Sequence, residues 1–160
     1  MSNKPALLST VPFSSFSQWD VKQFFFAKIL SKYPVEELGK HLIHQTEKIQ
    51  LSDEPTKEFT ILGVSNKIGM FDGSTEKGSK IKQKYHVVKD NWLAYNPYRI
   101  NVGSIGIKTP NLKGSYISPA YVVFSCKDTI LPEYLWLMMK SDFFNKLIKD
   151  STTGSVRQTL

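Results

Sequence analysis

The chain has one cysteine, Cys126, three histidines, and only two arginines among its 21 cations. A lone cysteine cannot close an internal disulfide, so a reducing cytoplasm is the expected compartment. No run approaches the roughly 18 uncharged apolar residues of a membrane helix, and residues 1–10 lack the basic-then-apolar order of a secretory signal. No membrane partner is expected. No serine sits in a glycine elbow and no carboxylate pair stands out. No glycine-rich strand-to-helix loop offers a methyl donor a cradle, so the chain reads as non-catalytic and free of cofactors. His41 and His44 are three apart but lack a second pair of ligands, which argues against a metal site.

What is present suits one packed domain. At 160 residues, with 41% apolar and 12% aromatic residues, the chain lies well above the disordered regime and can bury a core of its own. Residues 1–18, rich in Ser, Pro and Phe, read as an irregular leader, and 19–160 as a single domain. The segment from Trp19 to Ser31 predicts a helix capped by Ser17, and Val35 to Gly39 a short helical turn closed by glycine. From Phe59 the pattern changes to short β-prone runs: FTILGV, KIKQKYHVV, WLAY, GSIGI and AYVVFSC. Asp72-Gly73 and Asp90-Asn91 are turn pairs expected to join neighbouring strands. A final helix is expected from Pro132 to Asp150, with Ser141-Asp142 as the point where it can divide and Leu135, Trp136, Met139, Phe143 and Leu147 as its apolar stripe. The fold class is therefore α+β, a mainly antiparallel twisted sheet flanked by helices.

Charge localises the candidate function. The formal net charge is +7, and residues 67–113 hold nine cations against three acids, so a net +6 falls within 47 positions. Such a block implies a polyanionic partner, with nucleic acid first. If KIKQKYHVV is one strand, Lys80, Lys82 and Lys84 project from one face. They then form either a row for phosphates or an edge strand guarded against aggregation. Within Tyr95–Asn101, Arg99 can fork onto guanine or phosphate and Asn101 can pair with adenine, while Tyr98 either faces solvent or packs on the core. Asn96-Pro97-Tyr98 matches part of the Asn-Pro-Pro-Tyr loop of adenine-N6 methyltransferases but lacks the second proline. Gly103-Ser104-Ile105-Gly106 has the form of the GxxG loop of KH-type RNA binders, or lets a strand bend beside another chain or a ligand. Cys126 lies in an apolar run and reads as core.

Seven short stretches, in order, carry a wider resemblance: Val35–Gly39, Ile61–Ser65, Ala94–Arg99, Gly103–Gly106, Ile117–Phe124, Pro132–Leu135 and Gly154–Arg157. Together they resemble the landmarks of a target recognition domain from the specificity (S) subunit of type I restriction-modification systems. The resemblance implies a non-catalytic module that binds double-stranded DNA sequence-specifically. It implies that the module directs adenine methylation and cleavage, by partner methyltransferase (M) and restriction (R) subunits, to one half of a bipartite site. On that basis the residues expected near DNA are Lys67, Lys80, Lys82, Lys84, Arg99, Asn101 and Arg157, the last either reading a base or tying the Gly154 loop to the sheet. The spacer helices of complete specificity subunits are missing, so the chain is expected to be one isolated recognition module, whether a fragment, a truncated half-subunit or part of a fused methyltransferase-specificity protein. The alternative reading is an RNA or single-strand binder that stacks bases on Tyr85, Tyr95 and Tyr98.

Overall fold

The computed structural model describes residues 32–151. The chain divides into two compact units, residues 1–35 and 36–160, and the architecture below is that of the second. The expected helix from Trp19 to Ser31, the leader before it, and Arg157 lie outside the described residues.

The strands are β1 (Leu42–Gln45), β2 (Lys48–Gln50), β3 (Glu58–Ser65), β4 (Gly69–Lys77), β5 (Lys84–Val87), β6 (Leu93–Tyr95), β7 (Ile105–Ile107), β8 (Tyr116–Ile117) and β9 (Val122–Cys126). They form two sheets where one was expected. A four-stranded antiparallel sheet runs β1-β9-β6-β7, and a five-stranded sheet runs β2-β5-β8-β3-β4 with one parallel pair, β3 with β8. Helices α1 (Pro132–Lys140) and α2 (Asp142–Ser151) follow the last strand.

Strand alternation sorts the side chains into three layers of core. Leu62 of β3, Ala94 of β6, Ile117 of β8 and Val123 of β9 meet between the sheets. Their neighbours Leu93 and Phe124 turn the other way, onto Leu135 and Met139 of α1. On the far side of the five-stranded sheet, Phe59, Ile61, Tyr85 and Tyr116 gather with Leu51 and Ile81. Each short apolar run thus serves two cores at once, which is why WLAY and AYVVFSC read as strands without clear polar alternation.

The last helix divides where expected. Ser141 takes an extended backbone (ψ 151°), its Oγ–H donates to the Met138 carbonyl at 2.6 Å, and its Oγ accepts from Phe144 N–H at 3.2 Å, capping α2. The break resets the helical phase, so Phe144 packs inward while Phe143, expected in the stripe, is 64% exposed.

Other expectations need correction. Asp72-Gly73 is no turn but lies within β4, where two residues, Gly73 and Ser74, oppose Ile61 in a bulge. The β3–β4 hairpin instead closes at residues 66–68. Asp90-Asn91 is a turn, with Asn91 left-handed at φ 65°, yet it links strands of different sheets. The helical turn near Gly39 spans Leu38–His41 and is not closed by that glycine.

Gly106 shows what its loop is for. A Cβ there would lie 2.2 Å from Met70 N and 2.8 Å from the Gly69 carbonyl carbon, so β7 crosses β4 backbone to backbone. The GxxG pattern therefore serves close strand approach within the chain. Gly106→Ala should lower unfolding free energy in urea by about 1–3 kcal/mol or more, because backbone cannot rotate aside as a side chain can. Unchanged stability would contradict the crossing.

Candidate nucleic-acid interface

The nine cations of the basic block separate into engaged and free. Lys108 is 5% exposed, and its Nζ pairs with Asp90 Oδ1. Lys89 lies 3.6 Å from Glu47 and 5.2 Å from the centre of the Trp92 ring. Among the described residues, Lys67, Lys77, Lys80, Lys82, Lys84, Arg99 and Lys113 have no ion pair, and all seven are exposed.

Lys80, Lys82 and Lys84 do not form the expected strand row. Gly78–Lys80 is a 3-10 turn, residues 82–83 are irregular, and β5 begins only at Lys84. The cause lies in Gly78, where a Cβ would meet the carbonyl oxygens of Glu54 and Leu51 at 2.3 and 2.4 Å. Packed this tightly beneath the Leu51–Asp53 turn, the chain curls, drops Ile81 into the core and leaves Lys80 and Lys82 outside. They rim a cleft of about 470 Å³ with Ile61, Ile81 and Tyr85 as an apolar lining and Ser74, Glu76 and Gln83 as its polar groups. The reading from sequence missed Glu76 and Gln83. No local signal marks them, because the curl at Gly78 is set by the distant carbonyls of Leu51 and Glu54.

Lys67 stands in the turn that closes the β3–β4 hairpin at residues 66–68, outside the lining of that cleft. The neighbouring Asn66 carbonyl accepts from Lys140 Nζ at the end of α1, and Gly103 packs on Asn145 of α2, so both loops flank the α1–α2 junction. The Arg99 loop is held from within: Asn96 Oδ1 accepts from Tyr98 N–H at 2.9 Å, and the Arg99 carbonyl accepts from Val102 and Ser104 N–H at 3.2 Å. Tyr98 is 76% exposed, so it does not pack on the core. Asn101 lies in the 3-10 turn Ile100–Val102, its side chain outside the described residues. The seven site positions thus comprise Lys80 and Lys82 at the cleft, Lys84 exposed on β5 but outside the cleft lining, a group around the α1–α2 junction, and Arg157, which lies outside the described residues.

Local electrostatics are mostly structural. Burial would raise the Asp72 carboxyl, but backbone N–H donors of Gly114 (2.9 Å) and Lys113 (3.0 Å), with the nearby Lys113 and Lys108 charges, hold it below the usual range. This carboxylate pins the loop that carries β8 into the sheet. Burial pushes the Cys126 thiol up, helped by Glu133. His41 hydrogen-bonds Thr129 Oγ1 at 2.8 Å, and no three-residue cluster of metal ligands occurs among the described residues. No described helix is long and apolar enough to cross a membrane.

Burial lowers the basicity of His86, and Lys48 and His44 add to the effect. The unfolded chain therefore takes up a proton near pH 6.5 before the folded chain does, so stability falls as pH drops through that value. The urea midpoint should be lower at pH 5.5 than at 7.5, and His86→Gln should shrink that difference; an equal difference in the variant would exclude His86. Lys108→Ala should cost about 1–3 kcal/mol in the same assay, since it deletes a buried, packed side chain together with its ion pair to the half-exposed Asp90. A neutral result would return Lys108 to the surface set.

No family model matches the sequence, and no curated protein matches it. Solved structures do match. One comes from work on complex assembly and conformational transition of the type I R-M system: it is 20% identical, with TM-score 0.59 over 72% of this chain and 31% of that one. A second, the HsdS subunit from Thermoanaerobacter tengcongensis, is 21% identical, with TM-score 0.58 over 74% of this chain and 32% of that one. The chain spans about a third of the length of each. The likeness shows the fold: a largely antiparallel α+β arrangement with two helices after the last strand, shared with about a third of the HsdS chain.

Proposed function

We propose that the chain is a recognition module of a type I restriction-modification specificity subunit, binding double-stranded DNA without catalysing a reaction. The observation that carries this reading is the fold likeness to HsdS over nearly three quarters of the chain. The unpaired cations support it. Lysine charges fix the register on phosphates, and a few polar side chains read base edges. In this reading Lys80, Lys82 and Lys84 meet one stretch of backbone, and Lys67, Arg99 and Asn101 another. Arg157 remains a candidate base reader. The M and R subunits then methylate adenine and cleave, directed by this module to one half of a bipartite site in the cytoplasm.

The RNA reading loses its motif, since Gly106 is occupied in packing against Met70. Single-stranded oligonucleotides should therefore fail to displace duplex at equal concentration.

The testing experiment is a duplex titration across salt. With about five phosphates contacted, log K should fall with log salt at a slope of roughly −4.5, and Lys82→Ala should make the slope shallower by about 0.9. A flat response in the wild-type chain would remove the proposal.

A further inference from the structure

The cleft beside Lys80 and Lys82 contains one feature that a phosphate site does not need. Glu76, on edge strand β4 opposite Phe59, is half-buried in its wall. No hydrogen bond or ion pair engages its carboxylate among the described residues, although two lysines line the same cleft. A phosphate placed there would face a negative charge. A hydrogen-bond donor would instead find an open acceptor, with an apolar floor of Ile61, Ile81 and Tyr85 behind it and cations outside.

In the major groove those requirements separate the bases. Cytosine N4 and adenine N6 present amino donors, whereas guanine and thymine present no donor there, only acceptors that would oppose a carboxylate. We infer that Glu76 is a specificity-determining residue that accepts a hydrogen bond from the exocyclic amino group of a cytosine or adenine, while Lys80 and Lys82 take the flanking phosphates. The inference rests on the duplex-reading function proposed above and adds the chemistry of one recognised position. Acceptor-to-acceptor repulsion rejects guanine and thymine, so discrimination comes as much from exclusion as from attraction.

The test is selection from a random duplex library by the full chain, run in parallel with Glu76→Gln and Glu76→Ala, with thermal melts to check that each variant folds. The wild-type chain should fix cytosine or adenine at one position. Glu76→Ala should lose about 5- to 150-fold of the preference there and keep the rest of the motif, whereas Glu76→Gln, which keeps an acceptor and adds a donor, should relax the rejection of guanine and thymine or move the position toward adenine. A second measurement needs no variant: the wild-type chain should lose a similar factor on a duplex whose base at that position carries hydrogen in place of the amino group. A motif that survives intact in both variants overturns the inference and leaves the duplex-reading function standing. So does uniformly tighter binding to every sequence, which would make Glu76 a repulsive charge alone. A wild-type chain that enriches no motif removes both.

Discussion

Burial of one shared layer between two sheets is the constraint on which the rest of this structure depends. Leu62, Ala94, Ile117 and Val123 close that layer, and each belongs to a strand whose neighbouring residue must then point into a different core. The period-2 geometry of the strand leaves no freedom: a one-residue slip in β6 would put Leu93 between the sheets and Ala94 against the helix. Because the layer is thin where β7 meets β4, only glycine is tolerated at position 106. The loops at the strand ends inherit fixed positions from this packing.

That inheritance explains how a lysine-rich segment becomes a shaped surface. Gly78 is wedged beneath the carbonyls of Leu51 and Glu54, and the chain leaving it must curl before β5 can begin. The curl opens the cleft, sends Ile81 into the core and leaves Lys80 and Lys82 at the rim. At the other end of the hairpin, the Asn96 side chain and the Arg99 carbonyl hold their loop by short-range hydrogen bonds, so Arg99 projects from a rigid base.

Much of this was legible in the residues. The β-prone runs after Phe59, the helix starting at Pro132 and its division at Ser141 all follow from local chemistry: β-branched and aromatic runs, a proline in the first turn, a capping serine. What was not legible depends on long-range contacts. KIKQKYHVV has the composition of a strand, but nothing near it in sequence announces that Gly78 will be pinned by residues 51 and 54. Asp72-Gly73 has the composition of a turn, yet β3 pairs across it and absorbs the extra residue as a bulge. Lys108 counts as a surface charge until Asp90, 18 positions earlier, is seen to neutralise it. Charge counting located the basic region and overstated how much of it is free.

The central claim is that duplex DNA lies against the cleft and the Arg99 loop. The most direct measurement is backbone amide NMR of the full chain titrated with duplex DNA at low salt. Shift changes should concentrate at residues 74–85, 66–68 and 96–102 and fade together as salt is raised. Changes confined to the outer faces of α1 and α2, or none at all, would contradict it.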